Sequence, residues 1–108
     1  MAYNEKLDSQ IAALVAGWSH VDRKKMFGGV CHLMNGNMFC GVYKDFLILR
    51  LGTEAAATAL RKAGVRPFDI TGRPMPGWVM VEESGFKGDK LTKWLEQARA
   101  FVQTLPPK

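Results

Sequence analysis

From Leu7 the apolar residues Ile11, Leu14, Val15 and Trp18 return at intervals of three and four, after Asn4, whose side chain can accept from the free amides of a first helical turn. The spacing predicts an amphipathic helix. Its stripe belongs to a core, since a large aliphatic or aromatic side chain gains about 1.5–3 kcal/mol on burial. Between Lys24 and Leu51 the pattern changes to β-branched, aromatic and sulfur-bearing residues broken by turn signals, which predicts three consecutive antiparallel strands. Asn35-Gly36 is the pair favoured where both central residues of a hairpin turn need positive φ. With those two as the turn, Met34 faces Asn37, Leu33 faces Met38, His32 faces Phe39 and Cys31 faces Cys40. A second turn at Lys44-Asp45 brings Val42 opposite Leu47 and Cys40 opposite Leu49.

Alternation sorts these strands into two faces. One carries Cys31, Leu33, Met38, Cys40, Val42, Leu47, Leu49 and Leu51 and is apolar throughout, so helices are expected to cover it. The other carries His32, Met34, Phe39, Tyr43, Phe46, Ile48 and Arg50, too aromatic for a solvated surface and too polar for a deep core. His32, Phe39, Tyr43, Phe46, Ile48 and Arg50 therefore form a candidate protein-binding face, for a second copy or another partner, unless other segments of the chain cover it.

Thr53 can cap a second helix with Ala56, Ala59, Leu60 and Ala63 on one side and Gly64 as its stop. After Arg66-Pro67 come a short extended piece at 68–71, a loop through Gly72, Pro74, Pro76 and Gly77, and a strand over 78–82. Asp89 opens a last helix with Leu91, Trp94, Leu95, Ala98, Val102 and Leu105 as its buried stripe, ended by Pro106-Pro107. The order α-β-β-β-α-β-β-α describes an α+β two-layer sandwich, an antiparallel sheet with helices mainly on one face. At 108 residues, residues 1–108 are read as a single domain, because two cores would each be too small to hold.

Composition adds a net charge of +5, from 15 basic and 10 acidic residues, and thus a mild attraction to polyanions. The candidate nucleic-acid contacts are Arg23, Lys24 and Lys25 in one cluster and Arg61, Lys62, Arg66 and Arg73 in another, with sheet aromatics available for stacking. Neither a signal-peptide start nor an apolar run near the roughly 20 residues of a membrane span is present, so a cytoplasmic protein without membrane contact is expected.

The residues offer little chemistry. Cys31 and His32 are adjacent on one strand and point to opposite faces, which opposes a shared metal ion. Cys31 and Cys40, opposite each other in the expected register, are close enough for a disulfide, but in a reducing compartment free thiols are expected. Ser19, His20 and Asp22 have the side-chain types of a catalytic triad crowded into one loop that cannot make them converge. Glu82 and Glu83 alternate to opposite sides, and Gly85–Thr92 lacks the Gly-Lys-Ser/Thr run of a phosphate loop. No cofactor, metal or catalytic residue is expected.

The run Lys25-Met26-Phe27-Gly28-Gly29, followed by a strand, Asn35-Gly36 and Met38-Phe39, resembles the amino-terminal domain of the TfoX/Sxy family. Arg73-Pro74-Met75, Gly77-Trp78 and the closing helix extend the resemblance over nearly the whole chain. In the 25–29 motif Gly28 and Gly29 are expected to be architectural, bending the first strand. The resemblance implies a regulatory or adaptor role like that of activators of natural-competence genes, which act with a cyclic-AMP-dependent transcription factor. It therefore implies a protein partner, transcription machinery included, and brings no catalytic residues. Longer family members carry a second, carboxy-terminal domain, so a DNA-linked role seated there is expected to be absent or supplied by another protein.

Overall fold

A computed structural model describes residues 3–26, 28–70 and 72–108, with the side chain of Met26 excepted. Helix α1, Glu5–Val15, starts where Asn4 Oδ1 accepts from the Leu7 amide at 3.0 Å and buries Leu7, Ile11 and Val15 at successive fourth positions. It ends before Trp18, and Leu14 stays on its solvent side at 40 % exposure, so the apolar stripe is narrower than its spacing predicts.

Four strands follow: β1 Val21–Met26, β2 Gly29–Met34, β3 Asn37–Tyr43 and β4 Phe46–Arg50. Helix α2, Thr53–Ala59, leads to β5 Val65–Pro67, β6 Trp78–Val81, the short α3 Glu83–Phe86 and α4 Lys90–Val102. The expected element order is present, with β1 and the single turn α3 added to it. β1 carries Asp22, Arg23, Lys24 and Lys25 in succession, a polar run with no alternation to mark it as strand. α2 is capped by Gly52, at φ 87°, and not by the side chain of Thr53. The extended piece expected at 68–71 lies three residues earlier, as β5; Thr71 is outside the described residues. Pro67 is tolerated in β5 because that strand is a sheet edge.

The six strands pair antiparallel in the order β1-β2-β3-β4-β6-β5. Asn35 and Gly36, at φ 53° and 81°, make the β2–β3 turn, and Lys44, at φ 54°, begins the β3–β4 turn. Val42 faces Leu47 and Cys40 faces Leu49, as expected. In the β2–β3 pair the expected register holds only for Met34–Asn37 and Leu33–Met38. The pairing then slips, so that His32 faces Cys40 and Cys31 faces Gly41, leaving Phe39 as the additional residue of a β-bulge.

The bulge lets Phe39 and its neighbour Cys40 both enter the core, each fully buried. Phe39 packs against Trp18 with ring centroids 5.8 Å apart. Upstream of the slip the faces exchange. His32 and Met34 go under the helices, while Cys31, Leu33 and, on β3, Met38 join the opposite face. All four helices contribute to a single core with Val30, Cys40, Val42, Leu47, Leu49, Val79 and Val81. Trp94 of α4 donates from Nε1 to the Gly85 carbonyl of α3 at 2.8 Å, which satisfies its one polar atom inside that core.

Candidate functional site: the helix-free face

The side of the sheet away from the helices is set by alternation along β4, where Leu47, Leu49 and Leu51 turn inward and Ile48 and Arg50 outward. On β3 the outward residues are Met38, Gly41 and Tyr43. Gly41 stands between Cys31 of β2 and Ile48 of β4 in one cross-strand row. A Cβ at Gly41 would lie 2.6 Å from the Val30 carbonyl oxygen and 2.8 Å from the Met38 Cε, so the close approach of β2 and of the Met38 methyl leaves room only for glycine.

Above this row runs the β5–β6 connection, held by a hydrogen bond from the Met75 amide to the Phe68 carbonyl at 3.0 Å. Phe68 stacks on Trp78 of β6 with centroids 5.7 Å apart. Between connection and sheet lies a groove of about 380 Å³, floored by Cys31, Met38 and Ile48 and walled by Phe68, Met75 and Trp78. None of its lining residues is charged. At the sheet end Trp78 also borders a hollow of about 200 Å³ that contains Arg50. The Arg50 guanidinium lies 5.4 Å from the Trp78 ring centroid and 5.8 Å from that of Phe101. No carboxylate pairs with it among the described residues.

Of the expected protein-binding face, Tyr43, Phe46, Ile48 and Arg50 are together on this side. His32 and Phe39 are not: the bulge puts both on the helix side, 2 % and 0 % exposed. The expected His32–Phe39 and Cys31–Cys40 pairs are lost for the same reason. Cys31 and Cys40 now project to opposite faces and both are free thiols. In the glycine motif, Gly28, at φ 73°, sits in the turn between β1 and β2, and a Cβ on Gly29 would run into the Val42 carbonyl oxygen. Phe27 lies outside the described residues.

The basic clusters separate. Arg23, Lys24 and Lys25 are on β1 and Arg66 is on β5, the two opposite edges of the sheet, about 24 Å apart at ~4.8 Å per strand. Arg23 binds Asp8 of α1, with Nη2 2.6 Å from Oδ2, and donates to Tyr3 Oη at 3.3 Å. Arg66 pairs with Glu82 at 2.6 Å and covers the Phe46 ring. Lys62 lies over Trp94, while Lys24, Lys25, Arg61 and Arg73 are exposed.

Asp8 is a polar centre that the pattern of α1 conceals, because a carboxylate in a first turn also reads as a partner for the helix dipole. Burial raises its pKa, but hydrogen bonds from Arg23 and His32, with the attraction of their charges, prevail and hold the carboxyl below its ordinary range. Asp8, His32 and the cross-strand Cys40 have the side-chain types of a cysteine triad. Burial instead pushes the Cys40 thiol well up, opposite to the shift a nucleophilic cysteine needs, and none of the surface hollows described is lined by these residues. The cluster is a structural clasp between α1 and the sheet. No group of three metal-ligating side chains occurs among the described residues, and no helix among them is long and apolar enough to cross a membrane.

No curated protein and no solved structure matches the chain significantly. The family described as the TfoX N-terminal domain matches residues 13–102, from the last turn of α1 to the end of α4, and the chain belongs to that family.

Proposed function

We propose that the chain is a non-catalytic regulatory or adaptor domain of the competence-regulator type, working in the cytoplasm by binding protein through the helix-free face of its sheet. Membership of the TfoX N-terminal domain family supports the regulatory part. The observation that carries the binding part is the cluster of half-exposed Tyr43, Phe46, Phe68, Met75 and Trp78 on the one sheet face that no helix packs on. Aromatic and methionine side chains in a contiguous patch are what protein interfaces concentrate. The partner is transcription machinery or a second copy of the chain. Direct nucleic-acid binding has less support, because the basic clusters sit on opposite sheet edges and Arg23 and Arg66 are already paired.

Light scattering after size exclusion tests the self-associating form. The mass should rise with concentration, and Tyr43→Ser with Phe46→Ser should return it to the monomer. A strict monomer at every concentration removes that form.

A further inference from the structure

We propose that the groove on the helix-free face binds a small amphipathic carboxylate, its apolar body over Cys31, Met38 and Ile48 and its carboxylate on Arg50. This inference does not rest on the protein-binding reading, since a ligand can occupy the groove of a monomer.

The size of the groove sets the size of the body. An apolar cavity of about 150 Å³ accepts benzene. At 380 Å³, and open on one side, the groove takes a body of about a dozen non-hydrogen atoms. Met38 and Met75 supply flexible, polarisable walls, and the stacked Phe68–Trp78 pair supplies a flat one. At Gly41, between Cys31 and Ile48, the Met38 methyl lies where a side chain would begin, so Met38 completes the floor there.

Arg50 sets the head group. It is two residues beyond Ile48 on β4, hence on the same face, and it is the cross-strand partner of Trp78, the wall shared by the groove and the Arg50 hollow. The aromatic rings of Trp78 and Phe101 attract the cation but supply no acceptor oxygen. A carboxylate offers two acceptors matched to the guanidinium fork. No acidic residue lines either the groove or the hollow, so an anion meets no repulsion there.

The test uses decanoate and decan-1-ol, below their aggregation concentrations, with binding followed by isothermal calorimetry and by the tryptophan fluorescence that Trp78 contributes. One decanoate per chain is expected, bound about tenfold or more tighter than the alcohol, because a hydrogen bond to a charged group is involved. Arg50→Met should remove that preference while leaving alcohol binding in place. Cys31→Phe, which fills the groove floor from the interior strand β2, should abolish binding of both, with circular dichroism verifying the fold. Absence of saturable decanoate binding overturns the proposal. So does equal affinity for acid and alcohol, or decanoate binding that survives both substitutions. Concentration-dependent mass, the test of self-association, is read separately on the ligand-free protein.

Discussion

His32 Nε2 stands 2.7 Å from Asp8 Oδ1, joining the second strand to the first helix inside the core. The Asp8 carboxyl is held low and is therefore ionised and can only accept, so the ring nitrogen facing it donates. Arg23 occupies the other oxygen at 2.6 Å, so one carboxylate ties β1, β2 and α1 together.

Asp8→Asn should destabilise the fold by about 2–3 kcal/mol at neutral pH. A broken buried pair costs about 3–5 kcal/mol, and the 40 % exposure of the Arg23 side chain places this one lower. The folded pKa of Asp8 lies below its ordinary value of 3.8, so its contribution is present above that value and is lost as pH falls through the depressed one. Urea titrations at several pH values should show a constant gap between wild type and variant from pH 7 to about 5, narrowing below about 4. A gap that stays constant into strong acid would contradict the clasp.

Gly28 and Gly29 should fail differently. Gly28 has open space but a positive φ, so Gly28→Ala should cost about 1–2 kcal/mol and Gly28→Asn less, since Asn adopts that conformation more readily. At Gly29 any Cβ runs into the Val42 carbonyl, so Gly29→Ala should cost more than Gly28→Ala, and Gly29→Val more again. Thermal melts of the four variants give the ranking; equal melting temperatures for Gly28→Ala and Gly29→Ala would show that the hairpin can open at no cost.

Most of the architecture is legible in the sequence because its signals are local: the Asn4 cap, the Asn35-Gly36 turn and the stripe on α4 each depend on a few neighbours. The bulge is not legible, because whether Phe39 joins the core depends on Trp18 reaching it from twenty-one residues away. One additional residue in β3 then reversed the faces of Cys31, His32, Leu33 and Met34. The outward set on β4 survived because its pairing with β3 lies beyond the slip. Gly41 had a sequence signal, a glycine within an apolar strand, but the reason for it, the close approach of the Val30 carbonyl and the Met38 methyl, shows only in the folded chain.

Cys31 and Cys40 should remain unlinked under mild oxidation. They project to opposite faces, and burial raises both thiols, Cys40 far more. Cys31 borders the groove and should react with a thiol reagent first, with Cys40 reacting only as fast as the domain unfolds. Mass spectrometry after partial labelling distinguishes the two sites, and an intramolecular disulfide formed in the native state would mean that the β2–β3 register is wrong.

Phe39 and Phe46 lie on neighbouring strands and should respond in opposite ways to truncation. Phe39 is fully buried against Trp18, so Phe39→Ala removes a large side chain from a closed core and should cost about 3–5 kcal/mol, a large part of the ~5–15 kcal/mol that holds a domain of this kind together. Phe46 is half-exposed on the helix-free face, where its ring is covered by Arg66, and Phe46→Ser should cost less than about 1.5 kcal/mol. If the register were regular and without the bulge, Phe39 would share the outer face with Phe46 and the two substitutions would cost about the same. Urea unfolding of both variants therefore reads the bulge directly. The emission of Trp18 gives a second reading, since it should shift to the red with Phe39→Ala, where solvent gains access to the indole, and stay in place with Phe46→Ser.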